Sequence, residues 1–245
     1  STPPTFYQVR PFRDDIHVLR ELDQAAFPAE ASPIPIRAEP IAQAVSHELT
    51  PGLGDQSPLI DVMVVYTAQA RAAAGGTTAM QALVDLAVSE TNSSYANSGI
   101  AQRLRLVHVA EVNYAESGNS STDLTRLRNP SDGYMDDVHT LRDTYGADAV
   151  VLIVENMAYC GQAYMMTWVS PAFAPYAFAV VRRTCATGYY SFAHELGHIM
   201  AAHHDWYVNS TTRPYPYNHG YVNLNDHWRT IMAYYTQCTD SGSYC

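Results

Sequence analysis

The sequence predicts a mixed α/β (α+β) domain over residues 58–245, entered through a proline-rich arm of residues 1–57. Three observations lead there. Nine of the 14 prolines lie between Pro3 and Pro58, ahead of any long periodic pattern. From Leu59 onward, short β-rich apolar runs alternate with stretches whose apolar residues recur at helical spacing. That alternation continues to Tyr189, so helices and strands interleave as layers rather than segregate.

In the arm, Ile16, Val18, Leu19, Leu22 and Phe27 suggest a short helix. Pro33, Pro35, Pro40 and Pro51 exclude long regular elements, because each removes a backbone donor and restrains its predecessor. The arm reads as a small prodomain or propeptide remnant. Residues 59–66 form the first expected strand. Met80, Leu83, Val84, Ala87, Thr91 and Tyr95 then mark a helix with Gly99 as its stop. Residues 103–114 alternate as a strand. Residues 135–145 read as a helix ended by Gly146, and 147–154 as a buried strand. Residues 162–169 and 176–181 are further strands, and 189–202 reads as helix.

With 245 residues and 47% apolar content the chain can bury a substantial core. Its net charge of −10 argues against nucleic acid as partner. The apolar run at 147–154, interrupted by Asp148, is far too short to span a bilayer. The start Ser1-Thr2-Pro3-Pro4 reads as a processed, secreted chain. All 14 basic residues are arginine, for which we have no physical account. Cys160, Cys185, Cys238 and Cys245 allow three pairings. The local one, Cys160 with Cys185 and Cys238 with Cys245, suits an oxidising compartment. Four reduced thiols are the alternative, and no Cys-x-x-Cys pair points to metal.

The chemistry-bearing run is His194-Glu195-Leu196-Gly197-His198. Two histidines four apart leave one helix face a turn apart and can share one ion at about 2.0–2.1 Å. Glu195, beside the first ligand, can reach a water at the metal without binding the metal itself. Two surface histidines on a helix would give the same spacing by chance. The continuation to His203-His204-Asp205 narrows the choice. His204 can close the site only if the helix stops near Ala201 and the chain turns; His203 is one residue short and reads as a neighbour.

This longer run resembles the metzincin zinc endopeptidases, whose pattern is His-Glu-x-x-His-x-x-Gly-x-x-His. Ala201 stands where that pattern has glycine, at a cost of about 1 kcal/mol if φ is positive there. Thr230-Ile231-Met232-Ala233-Tyr234 resembles the metzincin Met-turn. The resemblance implies His194, His198 and His204 as zinc ligands, Glu195 as general base and Met232 as an apolar floor. Tyr234 is implied as an oxyanion-stabilising residue, as in the astacin and serralysin branches, although a merely packed aromatic fits equally. Asp205 is implied as a brace, as in the adamalysin branch. The implied fold is a twisted mixed sheet with an active-site helix, an upper subdomain at 58–204 and a smaller one at 205–245.

The segments around Cys160-Gly161-Gln162-Ala163-Tyr164, Cys185-Ala186-Thr187-Gly188-Tyr189-Tyr190 and Trp228-Arg229-Thr230 are similar to bacterial peptidyl-Asp metalloendopeptidases. That likeness implies cutting on the amino side of aspartate, the P1′ position. Within it, residues 162–169 are expected at the sheet edge, receiving substrate as an added antiparallel strand, with Ala163 and Tyr164 along the pocket. The 209–229 loop is expected as pocket wall, where Arg229 or Arg213 would pair with a substrate carboxylate and His219 is a further candidate to line the cleft. Either arginine could instead serve an internal ion pair.

Without cysteine before Cys160 the arm cannot supply a cysteine latch. Asp14, Asp15, His47 and Glu48 are its equal candidates for occupying the cleft. Sequons at Asn92, Asn119 and Asn209 matter only if the source glycosylates. No Ca²⁺ loop signature is visible, though the resemblance leaves calcium open. The reading is thus a secreted zinc endopeptidase acting on polypeptides, of undetermined oligomeric state. A silent or latent zinc-binding protein of protease fold and a single-target, toxin-like protease are the alternatives. A gluzincin, with glutamate as third ligand, is disfavoured by His204 and the Met-turn run.

Overall fold

The computed structural model describes residues 6–13, 16–23, 26–37 and 58–245. Strands β1 (Phe6–Arg13) and β2 (Ile16–Leu22) pair antiparallel as a hairpin, with Val9 opposite Leu19. The helix expected from Ile16 to Phe27 does not form. Ile16, Val18 and Leu22 fit a period of two as well as a helical one, and pairing with β1 decides between them.

Among the described residues the main sheet contains six strands. β3 (Ile34–Ile36) comes from the arm, and β4 (Leu59–Thr67) opens the domain. α1 (Ala68–Ala74), capped by the Thr67 hydroxyl, and α2 (Thr77–Asn97) follow. Gly99, just beyond α2, adopts φ 69° and turns the chain toward β5 (Arg103–Val112). α3 (Ser120–Arg128) starts on the Asn119 side chain, which accepts from the Thr122 amide at 2.9 Å. α4 (Asp137–Tyr145) stops at Gly146 in the left-handed region. β6 (Ala149–Val154), β7 (Gly161–Met166) and β8 (Phe178–Arg182) complete the sheet before helix α5 (Ser191–Ile199). The short pair β9 (Val222–Asn223) and β10 (Trp228–Arg229) and helix α6 (Thr236–Asp240) close the described chain.

The strand order is β3–β7–β8–β6–β4–β5. β5, β4, β6 and β8 run parallel to one another; β7 is antiparallel to β8. β6 is buried at all six positions, as a parallel strand covered on both faces requires. Met80, Leu83, Val84 and Ala87 of α2 and Phe192, Leu196 and Ile199 of α5 pack into the same core as the central strands. The disulfides join Cys160 to Cys185 and Cys238 to Cys245, so no cysteine is free.

The sheet edge differs from expectation. β7 does not carry it: β3 lies outside β7 and pairs with it in parallel, Ile34 opposite Tyr164 and Ile36 opposite Met166. The prolines at 33 and 35 limit this strand to three residues, which an edge position tolerates because one side needs no donor. Asp14, Asp15, His47 and Glu48 lie outside the described residues.

Candidate metal centre and active site

Helix α5 begins after Tyr190, which takes a left-handed conformation (φ 67°), and every residue from Ser191 to Ile199 is buried. His194 and His198 therefore project from one internal face. The helix ends at Met200, and Ala201 turns the chain at φ 71°. Its carbonyl accepts a bond from the Asn218 side-chain amide. This turn brings the His204 Nε2 to 3.2 Å from that of His194 and 3.0 Å from that of His198. His203 points elsewhere, its Nε2 at 2.5 Å from the Arg213 carbonyl.

The donor set fits a divalent metal. Nδ1 of His194 sits 2.8 Å from the Ile231 carbonyl, and Nδ1 of His198 sits 2.8 Å from the Ala202 carbonyl. Each carbonyl holds the proton on Nδ1 and leaves the Nε2 lone pair facing inward. Lone pairs this close repel unless a cation lies among them, and three neutral imidazoles suit zinc. Burial pushes His194 down to about 4 and His204 down to about 3, and also lowers His198. All three then present the neutral form a metal needs. Among the described residues these are the only three or more His, Cys, Asp or Glu side chains so grouped. The calcium left open by the resemblance has no counterpart there.

Around the ligands, two glycines permit close approach. A Cβ at Gly197 would overlap the Met232 sulfur, and one at Gly161 would overlap the Glu195 carboxylate. Met232 thus lies against α5, in a turn closed by the Ala233 amide and the Thr230 carbonyl at 3.0 Å. Asp205, next to His204, ties that turn to the histidine cluster: its carboxylate accepts from the amides of Tyr234 at 2.7 Å and Tyr207 at 3.0 Å. The Tyr234 ring lies 3.9 Å from that of His204. Burial first, and then the Glu195 and Glu30 charges, hold its hydroxyl neutral well above the usual tyrosine range.

Glu195 is fully buried, and neither of its oxygens accepts from a donor group among the described residues. Its carboxyl and that of Glu30 are buried as neighbours. Burial raises both carboxyls above the ordinary range. Ser191 donates its hydroxyl to Oε1 of Glu30. Neither Glu30 nor Ser191 was singled out from the sequence. Pro28 and Pro33 favour extended chain around Glu30, but nothing in the sequence sets this acid apart from the others of the arm.

A cavity of about 340 Å³ opens beside His194, Tyr234, Arg229 and Glu30. Arg229 donates to the Ala233 carbonyl at 2.7 Å, while its Nε is buried with no acceptor among the described residues. The other expected pocket residues lie elsewhere. Arg213 is exposed, its guanidinium 5.2 Å from the Trp168 ring centre. Ala163 and Tyr164 are buried in β7 beneath β3. His219 stands behind the third ligand, its Nδ1 at 2.7 Å from the His204 carbonyl and its ring stacked on Trp206.

Fold and site together define a metzincin-like metallopeptidase domain. The chain belongs to metallo-peptidase family M12, whose family model matches residues 57–243. It is 44% identical over 240 residues to a peptidyl-Asp metalloendopeptidase of Stenotrophomonas maltophilia (strain K279a), spanning 96% of this chain and 55% of that one. It is 37% identical over 153 residues to the Pseudomonas fragi protein of that name, spanning 62% of this chain and 76% of that one. The chain spans about half the length of the curated relatives it matches over nearly its whole extent. A solved structure described as that of a chaperone-substrate complex superposes with a TM-score of 0.55 at 19% identity, covering 72% of this chain and 30% of that chain; this likeness concerns fold alone. Among the described residues no helix is long and apolar enough to cross a membrane. That observation and the two disulfides are compatible with an extracellular location.

Proposed function

We propose that the chain is the catalytic portion of a secreted zinc endopeptidase that cuts polypeptides before aspartate. The observation that carries this is the convergence of three neutral imidazoles beside a buried carboxylate that no donor group satisfies. A structural zinc site has no use for such a carboxylate, which argues against a silent binding protein. His194, His198 and His204 would hold zinc, which would supply the Lewis acidity that attack of water on the scissile carbonyl needs.

Glu195 takes the proton of the attacking water and returns it to the leaving amine. Tyr234, kept neutral, donates to the oxygen on which charge develops. Its hydroxyl already donates to a backbone carbonyl in the groove, that of Glu30, at 3.2 Å. Asp205 holds Tyr234 and the third ligand in one frame. Selection of aspartate rests with Arg229, the cavity-lining cation whose unpaired Nε offers a second donor to a carboxylate. The names of the relatives point the same way.

The test is mass-spectrometric mapping of bonds cut in a denatured protein mixture, with Glu195→Ala and Arg229→Leu alongside. Glu195→Ala should lower the rate by roughly 10²- to 10⁴-fold. Arg229→Leu should weaken the preference for aspartate by roughly 10- to 150-fold, the worth of a charged hydrogen bond. Cuts before apolar residues in the parent protein would remove the aspartate assignment while keeping hydrolysis. Cleavage that persists in Glu195→Ala would overturn the mechanism.

A further inference from the structure

We infer that Asp240 is a further specificity-determining residue of the cavity beside the histidine cluster. Its carboxylate turns away acidic side chains longer than aspartate, glutamate above all. The inference rests on the aspartate-selecting reading above and deepens it.

Size is the first observation. The cavity of about 340 Å³ has room for a glutamate side chain as well as an aspartate. Steric fit leaves the two unseparated, since one extra methylene costs little where space is open. Arg229 leaves them unseparated too, because a guanidinium attracts either carboxylate. A pocket that selects the shorter acid needs another group, set where only the longer one reaches.

Position is the second. Arg229 stands at the end nearer the ligands: burial first, and the Arg229 charge in addition, lower His194. The solvent-exposed side is α6, whose Thr236, Thr239 and Asp240 line the same cavity. A side chain entering past His194 meets the guanidinium first. One more methylene carries a carboxylate roughly 1.5 Å further, toward the acid on α6. Like charges brought together there repel, and the longer acid loses what Arg229 gave it.

Third, Asp240 is held in place. Glu30, the other acid lining the cavity, is pushed up to about 7 by burial, which suppresses part of its charge near neutral pH. Asp240 is exposed, and the Tyr207 hydroxyl donates to its Oδ2 at 2.8 Å. That bond, and then the Asp240 charge, raise the Tyr207 phenol above its usual range. The Tyr207 amide in turn donates to Asp205, the residue after His204, at 3.0 Å. The disulfide between Cys238 and Cys245 closes the loop that carries Asp240. The carboxylate is thus tied to the ligand segment through Tyr207 and restrained by the bridge.

The test compares matched fluorogenic peptides with aspartate, glutamate or asparagine after the scissile bond. It uses the full zinc-loaded chain, Asp240→Asn and Tyr207→Phe. Calorimetric affinities for the tripeptides Asp-Ala-Ala and Glu-Ala-Ala give a second readout that needs no hydrolysis. In the unaltered chain kcat/KM should favour aspartate over glutamate by roughly tenfold or more at low salt. Asp240→Asn keeps the side-chain volume and should cut that ratio by roughly fivefold or more. Tyr207→Phe releases Asp240 and should cut it by a smaller factor. Raising NaCl from about 0.05 M to about 1 M should shrink the ratio in the unaltered chain and leave that of Asp240→Asn nearly fixed. A packing change has no such salt dependence, and the series on the unaltered chain requires no variant to fold. A ratio that neither Asp240→Asn nor salt alters overturns the inference and leaves the aspartate reading intact. Equal rates on the aspartate and asparagine peptides would sink that reading and the inference with it. Hydrolysis absent from every protein would sink the peptidase reading; in that case tighter binding of Glu-Ala-Ala by Asp240→Asn supports the role of Asp240, and unchanged binding overturns it.

Discussion

At Ala201 the backbone holds φ at 71°, a conformation in which a Cβ crowds the following carbonyl. The residue remains there because three constraints converge: α5 must end, His204 must swing back to the ligand cluster, and Asn218 clasps the Ala201 carbonyl. Ala201→Gly should therefore stabilise the fold by about 0.5–1 kcal/mol, after the larger unfolded-state entropy of glycine is set against the relieved strain. Urea unfolding of the two proteins checks this, and a destabilised variant would show that the methyl group contributes packing that outweighs the strain. The departure at this position was readable only against the metzincin pattern, and that resemblance also implied that His194, His198 and His204 converge. Two arginines in the 209–229 loop could not be ranked that way. The structure separates them because the Ala233 carbonyl draws Arg229 inward, while Arg213 lies over Trp168 at the surface. Glu30 was illegible for a related reason. Its surroundings come from residues 161, 191 and 195, and nothing local marks which acid of the arm will meet them.

Helix α2 shows how an element can bury a group it cannot satisfy. Tyr95 packs against the core, and its hydroxyl has no partner among the described residues. Burial pushes that phenol up to about 12 from an ordinary value of 10.0. The unfolded chain thus ionises Tyr95 first. The stabilisation from keeping it neutral is complete below pH 10 and is lost as pH rises from 10 toward 12. Tyr95→Phe should be neutral or stabilising by about 1 kcal/mol at pH 7, since it removes a buried hydroxyl without a partner. It should also flatten the alkaline fall in stability by an amount on the order of 2 kcal/mol. Unfolding midpoints at pH 7 and pH 11 measure both, and identical alkaline slopes would contradict the assignment. The same helix was plain in the sequence because five apolar or aromatic positions and Thr91 repeat on one face. α1 and α3 were not: seven alanine-rich residues and nine mostly polar ones lack a repeat long enough to read. The β1–β2 hairpin was mistaken for helix because strand pairing is a non-local choice that five apolar residues leave undecided.

Over the whole molecule, the two disulfides divide the work unequally. Cys160 and Cys185 are 25 residues apart and Cys238 and Cys245 only 7. Closing the longer loop restricts the unfolded chain more, by about 3–4 kcal/mol against about 2–3 for the shorter, in the loop-entropy account. The longer bridge also has a placement the shorter one lacks. Cys160 precedes β7 and Cys185 precedes the turn into α5, so the bridge ties β7 to the run that leads into α5. The Cys160 amide is moreover the one that grips the Ala29 carbonyl, which extends that tie to the arm. Both pairings were expected from sequence as local loops, yet their different mechanical value appears only once β7 is known to lie between β3 and β8. Replacing Cys160 and Cys185 by alanine should therefore lower stability more than replacing Cys238 and Cys245. It should also accelerate deuterium exchange in β7 and in residues 29–36, which loss of the shorter bridge leaves untouched. Urea unfolding in the presence of a chelator isolates the covalent contribution from that of bound metal. A larger loss from the Cys238–Cys245 pair would mean that the lower segment around α6 limits unfolding, and that β7 is held by the sheet alone.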